Sequence, residues 1–157
     1  MTIIESKTSV NRPINEVYAF LTDLNNHQQL MPENIYNWSS TEDEAKFTIQ
    51  NMAKLALKVS SRTKDKEIIA VTSEEAPFAI ELKWAVNDLG DGKTEAVYTI
   101  AAELNMMMKM LAAGPLQKLA DHQTSALKKP FRNKISRSIF RNGIWINPNT
   151  IIFLIPA

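Results

Sequence analysis

The chain of 157 residues contains no cysteine, only two histidines and only four glycines. Without cysteine it has no disulfide framework, no thiolate nucleophile and no cysteine-ligated zinc site. The histidines, His27 and His122, are far apart in the sequence and give no metal-binding signature. The segment "GDGK" lacks the spacing of a phosphate-binding loop and fits a hairpin turn instead. We therefore predict no metal site and no cofactor.

Long apolar runs are also missing, because no segment reaches the roughly 18 apolar residues that a membrane-spanning helix needs. The amino-terminal segment "MTIIESKTSVNRP" lacks the basic start and apolar run of a signal peptide. Together with the absence of cysteine, these features predict a cytoplasmic protein.

Charge is distributed unevenly along the chain. All 17 acidic residues precede Phe131, together with 14 of the 18 Lys and Arg residues, so this part carries a net charge of −3. A weakly acidic domain lacks the basic surface that nucleic-acid binding requires, so we predict no nucleic-acid partner. The remaining segment is basic, with a charge of +4 from Arg132, Lys134, Arg137 and Arg141.

The length predicts one domain, which we place at residues 1–130, followed by an atypical tail at residues 131–157. The tail "FRNKISRSIFRNGIWINPNTIIFLIPA" combines basic and apolar residues. Four interpretations stay open for it: a disordered appendage, a peripheral membrane contact, a chain end that docks on a neighbouring subunit of an oligomer, or a sequence foreign to the domain.

Most of the domain alternates between apolar and polar residues, which indicates antiparallel strands with one dry face. The clearest examples are "EAKFTIQ", "KLALKVSS", "FAIELKWAV" and "TEAVYTIAAEL". Further strands are predicted in "TIIESKTSV", "YNWSS" and "EIIAVTS". The sequence therefore predicts a sheet of about seven strands.

Helical spacing begins at Pro13 and returns in a short piece at residues 26–30. A long final helix is predicted from Asn105 to about Lys129, bent at Gly114-Pro115 and ended by Pro130. Its expected apolar stripe contains Met107, Met110, Leu111, Leu119, Ala126 and Leu127. This order of elements predicts an α+β fold, with two short helices after the first strand and a curved antiparallel sheet wrapped around the final helix.

The segments "SVNRPINEVYAFLTDLNNHQQLMPENIYNW", "EAKFTI", "GKTEAVYTIAAELNMMMKML" and "GPLQKLADHQTSALKK" resemble the SRPBCC superfamily of helix-grip proteins. This superfamily includes START lipid-transfer domains and the major birch-pollen allergen. The chain looks most like small bacterial members described as polyketide cyclase/dehydrase-like or CoxG-like. The resemblance covers residues 1 to about 129, and its motifs are structural rather than catalytic.

The resemblance implies a cavity between the sheet and the final helix that takes apolar small molecules or lipids. Because methionine is flexible and polarizable, the Met-rich start of the helix suits such a lining, although the same stripe fits an ordinary core. The predicted ligand-binding residues are Trp38, Phe47, Leu57, Phe78, Leu82, Trp84, Tyr98, Ile100, Met107, Met110 and Leu111.

We predict a binding protein without catalysis, since no catalytic set is recognisable. His27 and His122 lie in polar stretches and are expected at the surface. Two alternatives stay open. One is a polyketide or aromatic cyclase or dehydratase in which Tyr98 or Glu103 handles protons. The other is an accessory module that binds a protein or a membrane.

Overall fold

Seven strands form one curled antiparallel sheet, as the alternating pattern predicted. In chain order they are β1 (Thr2–Val10), β2 (Ile35–Ser40), β3 (Glu44–Ile49), β4 (Ala53–Thr63), β5 (Glu67–Thr72), β6 (Ile80–Gly90) and β7 (Lys93–Ala102). The order across the sheet is β1-β7-β6-β5-β4-β3-β2, so all neighbours except β1 and β7 are also consecutive in sequence. The computed structural model describes residues 1–73, 76–136, 139–141 and 144–146.

Two short helices connect β1 to β2. The helix α1 (Ile14–Leu21) follows Pro13, and a 3-10 helix (Leu24–Leu30) follows it, with Asp23 Oδ1 accepting a hydrogen bond from Asn25 N. The long helix α2 (Met106–Ser136) follows β7. The predicted helix-grip architecture is therefore confirmed, with α2 packed against β1 and β7.

The turn between β6 and β7 carries "GDGK", as expected for a hairpin. Gly90 and Gly92 have φ angles of 85° and 72°, which glycine adopts without steric cost. Gly90 N also donates a hydrogen bond to Asp88 Oδ1 at 2.8 Å. This turn sets the register that places Trp84 opposite Tyr98.

The prediction that Pro130 ends the final helix near Lys129 is wrong, because α2 continues to Ser136. Phe131 is buried directly after the proline and packs edge-to-face against Phe20 of α1, with ring centroids 5.4 Å apart. The helix thus continues although Pro130 removes one of its backbone hydrogen bonds. Gly114 and Pro115 lie inside α2, and the bend expected there stays a prediction.

The tail predicted at residues 131–157 begins inside α2. Beyond the helix, β8 (Ile139–Arg141) and β9 (Ile144–Ile146) pair as a separate antiparallel ladder. Residues 147–157 lie outside the described residues, and the interpretations given for the tail stay predictions. Within the described part of the chain, no helix combines the length and apolar character needed to cross a bilayer.

Candidate functional site

Two adjoining chambers lie between the inner face of the sheet and the helices. The first is lined by Leu24, His27, Met31, Trp38, Ala45, Leu57, Ile68, Ala70, Leu82, Trp84 and Tyr98. The second is lined by Met31, Phe47, Ile49, Leu55, Ile80, Leu82, Tyr98, Ile100, Leu116, Leu119 and Gln123. The two linings share Met31, Leu82 and Tyr98, so these three side chains separate the chambers.

The alternation of β6 and β7 positions the aromatic part of the site. Trp84 lies opposite Tyr98 in the ladder, and their rings are 4.7 Å apart and tilted by 43°. Both side chains are buried. Near the β2 edge of the sheet, Trp38 stacks on Phe47 with centroids 5.3 Å apart. These two aromatic pairs build much of the chamber wall.

The 3-10 helix closes the first chamber, and polar contacts at the surface hold it in place. Leu24 N donates to Glu42 O at 3.1 Å, in the turn between β2 and β3. Arg62 of β4 donates to the carbonyl oxygens of Thr22 and Glu42, at 2.9 and 3.0 Å. Its guanidinium also pairs with Asp43 at 2.6 Å. Arg62 therefore joins β4 to the segment that carries Leu24 into the chamber wall.

Polar contacts also fix the rotation of α2 against β1. Ser6 Oγ and Thr124 Oγ1 are 2.8 Å apart, and Gln117 Nε2 donates to Glu5 O at 3.2 Å. At the start of the helix, Asn105 Oδ1 accepts a hydrogen bond from Met108 N at 2.8 Å. This is the N-capping contact that asparagine commonly makes.

A buried hydrogen bond links α2 to the sheet inside the second chamber. Gln123 Nε2 donates to Tyr98 Oη at 3.2 Å, and both side chains are almost completely buried. Burial raises the pKa of Tyr98 well above its usual value, and the Gln123 hydrogen bond opposes this only in part. Tyr98 therefore stays protonated at neutral pH, with its hydroxyl group held by Gln123.

His27 is buried, so the prediction that it lies at the surface is wrong. Its Nε2 lies 2.7 Å from Leu21 O. Burial lowers the pKa of His27, while the Leu21 hydrogen bond and the charge of Asp23 partly oppose this change. The neutral imidazole lines the first chamber. His122 is exposed, as predicted, and its Nδ1 lies 3.1 Å from Leu30 O.

Seven of the predicted ligand-binding residues line one or both chambers. They are Trp38, Phe47, Leu57, Leu82, Trp84, Tyr98 and Ile100. Phe78 is buried but lies before β6 begins and lines neither chamber. That a ligand contacts the seven residues remains a prediction. Glu103, which the enzymatic alternative invoked, is exposed and also lines neither chamber.

The structure corrects the placement of Met107, Met110 and Leu111. Their side chains are 72%, 81% and 72% exposed, and none lines a chamber. The reason is the phase of the helix. Met107 precedes the buried Leu116 by nine residues, about two and a half turns, and therefore lies on the opposite side of α2.

Sequence reasoning missed three residues that matter here: His27, Met31 and Gln123. His27 was detectable, since Leu24, His27 and Leu30 recur every three residues, the period of a 3-10 helix. Gln123 lies on the stripe that Leu116 and Leu127 define at helical spacing. Met31 gave no signal, because it follows the 3-10 helix in an irregular segment.

No family model and no curated protein matches this chain. Solved structures do match it. A START superfamily protein from Mycobacterium smegmatis is 16% identical, with a TM-score of 0.61 over 83% of this chain and 97% of that one. The protein XoxI from Bacillus cereus is 10% identical, with a TM-score of 0.68 over 84% of this chain and 96% of that one.

The Aha1 dimer from Colwellia psychrerythraea is a third similar structure. It is 14% identical, with a TM-score of 0.59 over 83% of this chain and 96% of its own chain. The resemblance found in the sequence is therefore confirmed as a resemblance of fold: the chain has the START-like helix-grip fold. The polyketide cyclase-like and CoxG-like assignments stay predictions.

Proposed function

We propose that this protein binds an apolar small molecule or lipid between the inner face of the sheet and α2, without transforming it. The observation that carries the proposal is the pair of adjoining chambers with mostly apolar linings and a few buried polar atoms. Sites for small molecules commonly have this composition. The START-like fold supports the proposal because proteins with this fold commonly bind hydrophobic ligands.

Binding requires the chamber walls to move. Each chamber has a volume of about 20 Å³, enough for one water molecule. Pockets that enclose small organic ligands usually measure roughly 300–1,000 Å³. The ligand therefore takes space that side chains of the protein now fill.

Met31 is the side chain best placed to make that space. It is half-buried, borders both chambers and follows directly after the 3-10 helix. Its unbranched thioether rotates easily into alternative positions. We infer that Met31 moves away from the junction when the ligand enters and that the two chambers then join.

The test is equilibrium dialysis of the full chain against naphthalene. We expect saturable binding to the wild type and tighter binding to Met31→Ala, because the variant has less side chain to displace. Met110→Ala is the matched control: it removes an exposed methionine and leaves the affinity unchanged. Organic extraction of the purified protein, followed by mass spectrometry, identifies any natural ligand.

The absence of saturable binding in both the wild type and Met31→Ala would contradict the proposed function. Equal changes in affinity on Met110→Ala and on Met31→Ala would place the binding site elsewhere.

A further inference from the structure

Two polar atoms of the chamber linings have no hydrogen-bond partner among the residues that the structure describes. They are Trp84 Nε1, a donor, and Gln123 Oε1, an acceptor. The two side chains are only 2% and 1% exposed. Buried polar groups in native proteins nearly always pair with protein atoms or ordered water. These two atoms therefore need a polar partner inside the cavity, either an ordered water molecule or a polar group of a ligand.

The remaining polar groups of the linings add one donor and one acceptor. A carbonyl oxygen only accepts, so His27 Nε2 donates its proton to Leu21 O, and the neutral ring keeps Nδ1 as an acceptor. Tyr98 Oη accepts from Gln123 Nε2, which leaves the phenolic proton available to another acceptor. Each chamber thus has both a donor and an acceptor in its wall.

The same linings carry no formal charge. Among the described residues that border the two chambers there is no Asp, Glu, Lys or Arg, and burial keeps His27 neutral. A carboxylate or an ammonium group entering this space loses its hydration and finds no opposite charge, which is strongly unfavourable. A hydrocarbon, in contrast, leaves Trp84 Nε1 and Gln123 Oε1 without partners.

We propose that the ligand is an uncharged, largely apolar alcohol or phenol whose hydroxyl group pairs with Trp84 Nε1 or Gln123 Oε1. This inference rests on the proposed function and specifies its ligand class. A hydroxyl group fits because its oxygen both donates and accepts hydrogen bonds, so it pairs with either unpartnered atom. A ketone satisfies only the tryptophan donor.

The test compares three probes of similar shape by equilibrium dialysis with the full chain at neutral pH: 2-naphthol, naphthalene and 2-naphthoate. We expect 2-naphthol to bind at least about tenfold more tightly than naphthalene, because a site built for a hydroxyl group discriminates against the analogue that lacks it. We expect 2-naphthoate to bind at least about tenfold more weakly than 2-naphthol, because its charge is not compensated.

Two substitutions assign the preference to named atoms. Trp84→Phe removes the unpaired donor and leaves a smaller aromatic wall. Gln123→Met removes the unpaired acceptor and keeps a side chain of similar size. At least one of them should reduce the preference for 2-naphthol over naphthalene several-fold without abolishing naphthalene binding. Met110→Leu is the matched control, since the exposed Met110 lines neither chamber, and it should keep the preference.

The outcomes separate this inference from the proposed function. Equal affinity for 2-naphthol and naphthalene overturns the inference and leaves apolar binding in place. This result is expected if a water molecule pairs with Trp84 Nε1 and another with Gln123 Oε1. Tight binding of 2-naphthoate, or an unchanged preference in both polar variants, also overturns it. No binding of any probe overturns both proposals.

Discussion

Apolar side chains are exposed at the start of α2, whereas polar side chains are buried in its middle. At the start, Met106, Met107, Met110 and Leu111 are apolar and largely exposed. In the middle, Gln123 and Thr124 are polar and buried. The middle faces the concave side of the sheet, where Gln123 bonds to Tyr98 and Thr124 to Ser6. The start extends beyond that contact.

The comparison shows that the phase of a helix, more than the hydrophobicity of each residue, determines which side chains enter a cavity. One buried series along α2 runs through Ala112, Leu116, Ala120, Gln123 and Leu127. Met108 is partly buried before it, and Leu119, Thr124 and Ala126 are buried beside it. Consecutive members are three or four residues apart, as one helix face requires. Met107, Met110 and Leu111 lie outside this series and are exposed.

The largest expected effect contrasts one residue from each region. Leu116→Ala should lower the free energy of unfolding by about 2–5 kcal/mol, because it leaves a cavity at a buried site. Met110→Ala should change it by less than about 0.5 kcal/mol, because the side chain is 81% exposed. Urea denaturation of both variants measures the difference. A similar loss in both would mean that the start of α2 is covered in solution.

A smaller effect is expected for the polar pair that joins the middle of α2 to the sheet. Tyr98→Phe should cost about 1–3 kcal/mol, because it leaves the buried amide of Gln123 without its remaining partner. Adding Gln123→Met should recover part of that loss, since no orphaned amide remains. The double-mutant cycle by urea denaturation detects this coupling, and strictly additive costs would contradict it.

The smallest effect at neutral pH concerns His27, a buried polar residue on the other side of the cavity. Its pKa is lower in the folded protein than the ordinary value of 6.5. The unfolded chain therefore binds more protons once the pH falls below that value, and acid selectively weakens the fold. We expect the free energy of unfolding to decrease as the pH falls below 6.5. We expect His27→Gln to make this decrease smaller per pH unit. If the free energy of unfolding of His27→Gln depended on pH as steeply as that of the wild type, His27 would be excluded as the cause of the acid sensitivity.

The architecture was largely predictable from sequence because it rests on a simple alternation. Strands such as β7 expose every second side chain to the interior, so Tyr98 and Ile100 were placed correctly from the pattern alone. The end of α2 was not predictable in the same way. Proline at position 130 normally ends a helix, but α2 continues through it, and the next residue, Phe131, packs against Phe20.

The site was predictable only in part, for a related reason. The strand residues of the lining follow from local periodicity, whereas the helix residues depend on which face of α2 meets the sheet. That face is set by contacts between distant residues, such as Ser6 with Thr124. A cluster of four methionines suggested a lining, but its phase relative to Leu116 directs three of them away from the sheet.

The most direct test of apolar binding in the interior is methyl NMR of the full chain labelled with ¹³C at the methionine methyl groups, titrated with naphthalene. Single Met→Leu substitutions assign the resonances. We predict a saturable shift of the Met31 methyl, at the junction of the chambers, and no shift of Met107 or Met110. Shifts at Met107 and Met110 without one at Met31 would place the ligand on the exposed start of α2 and contradict the account.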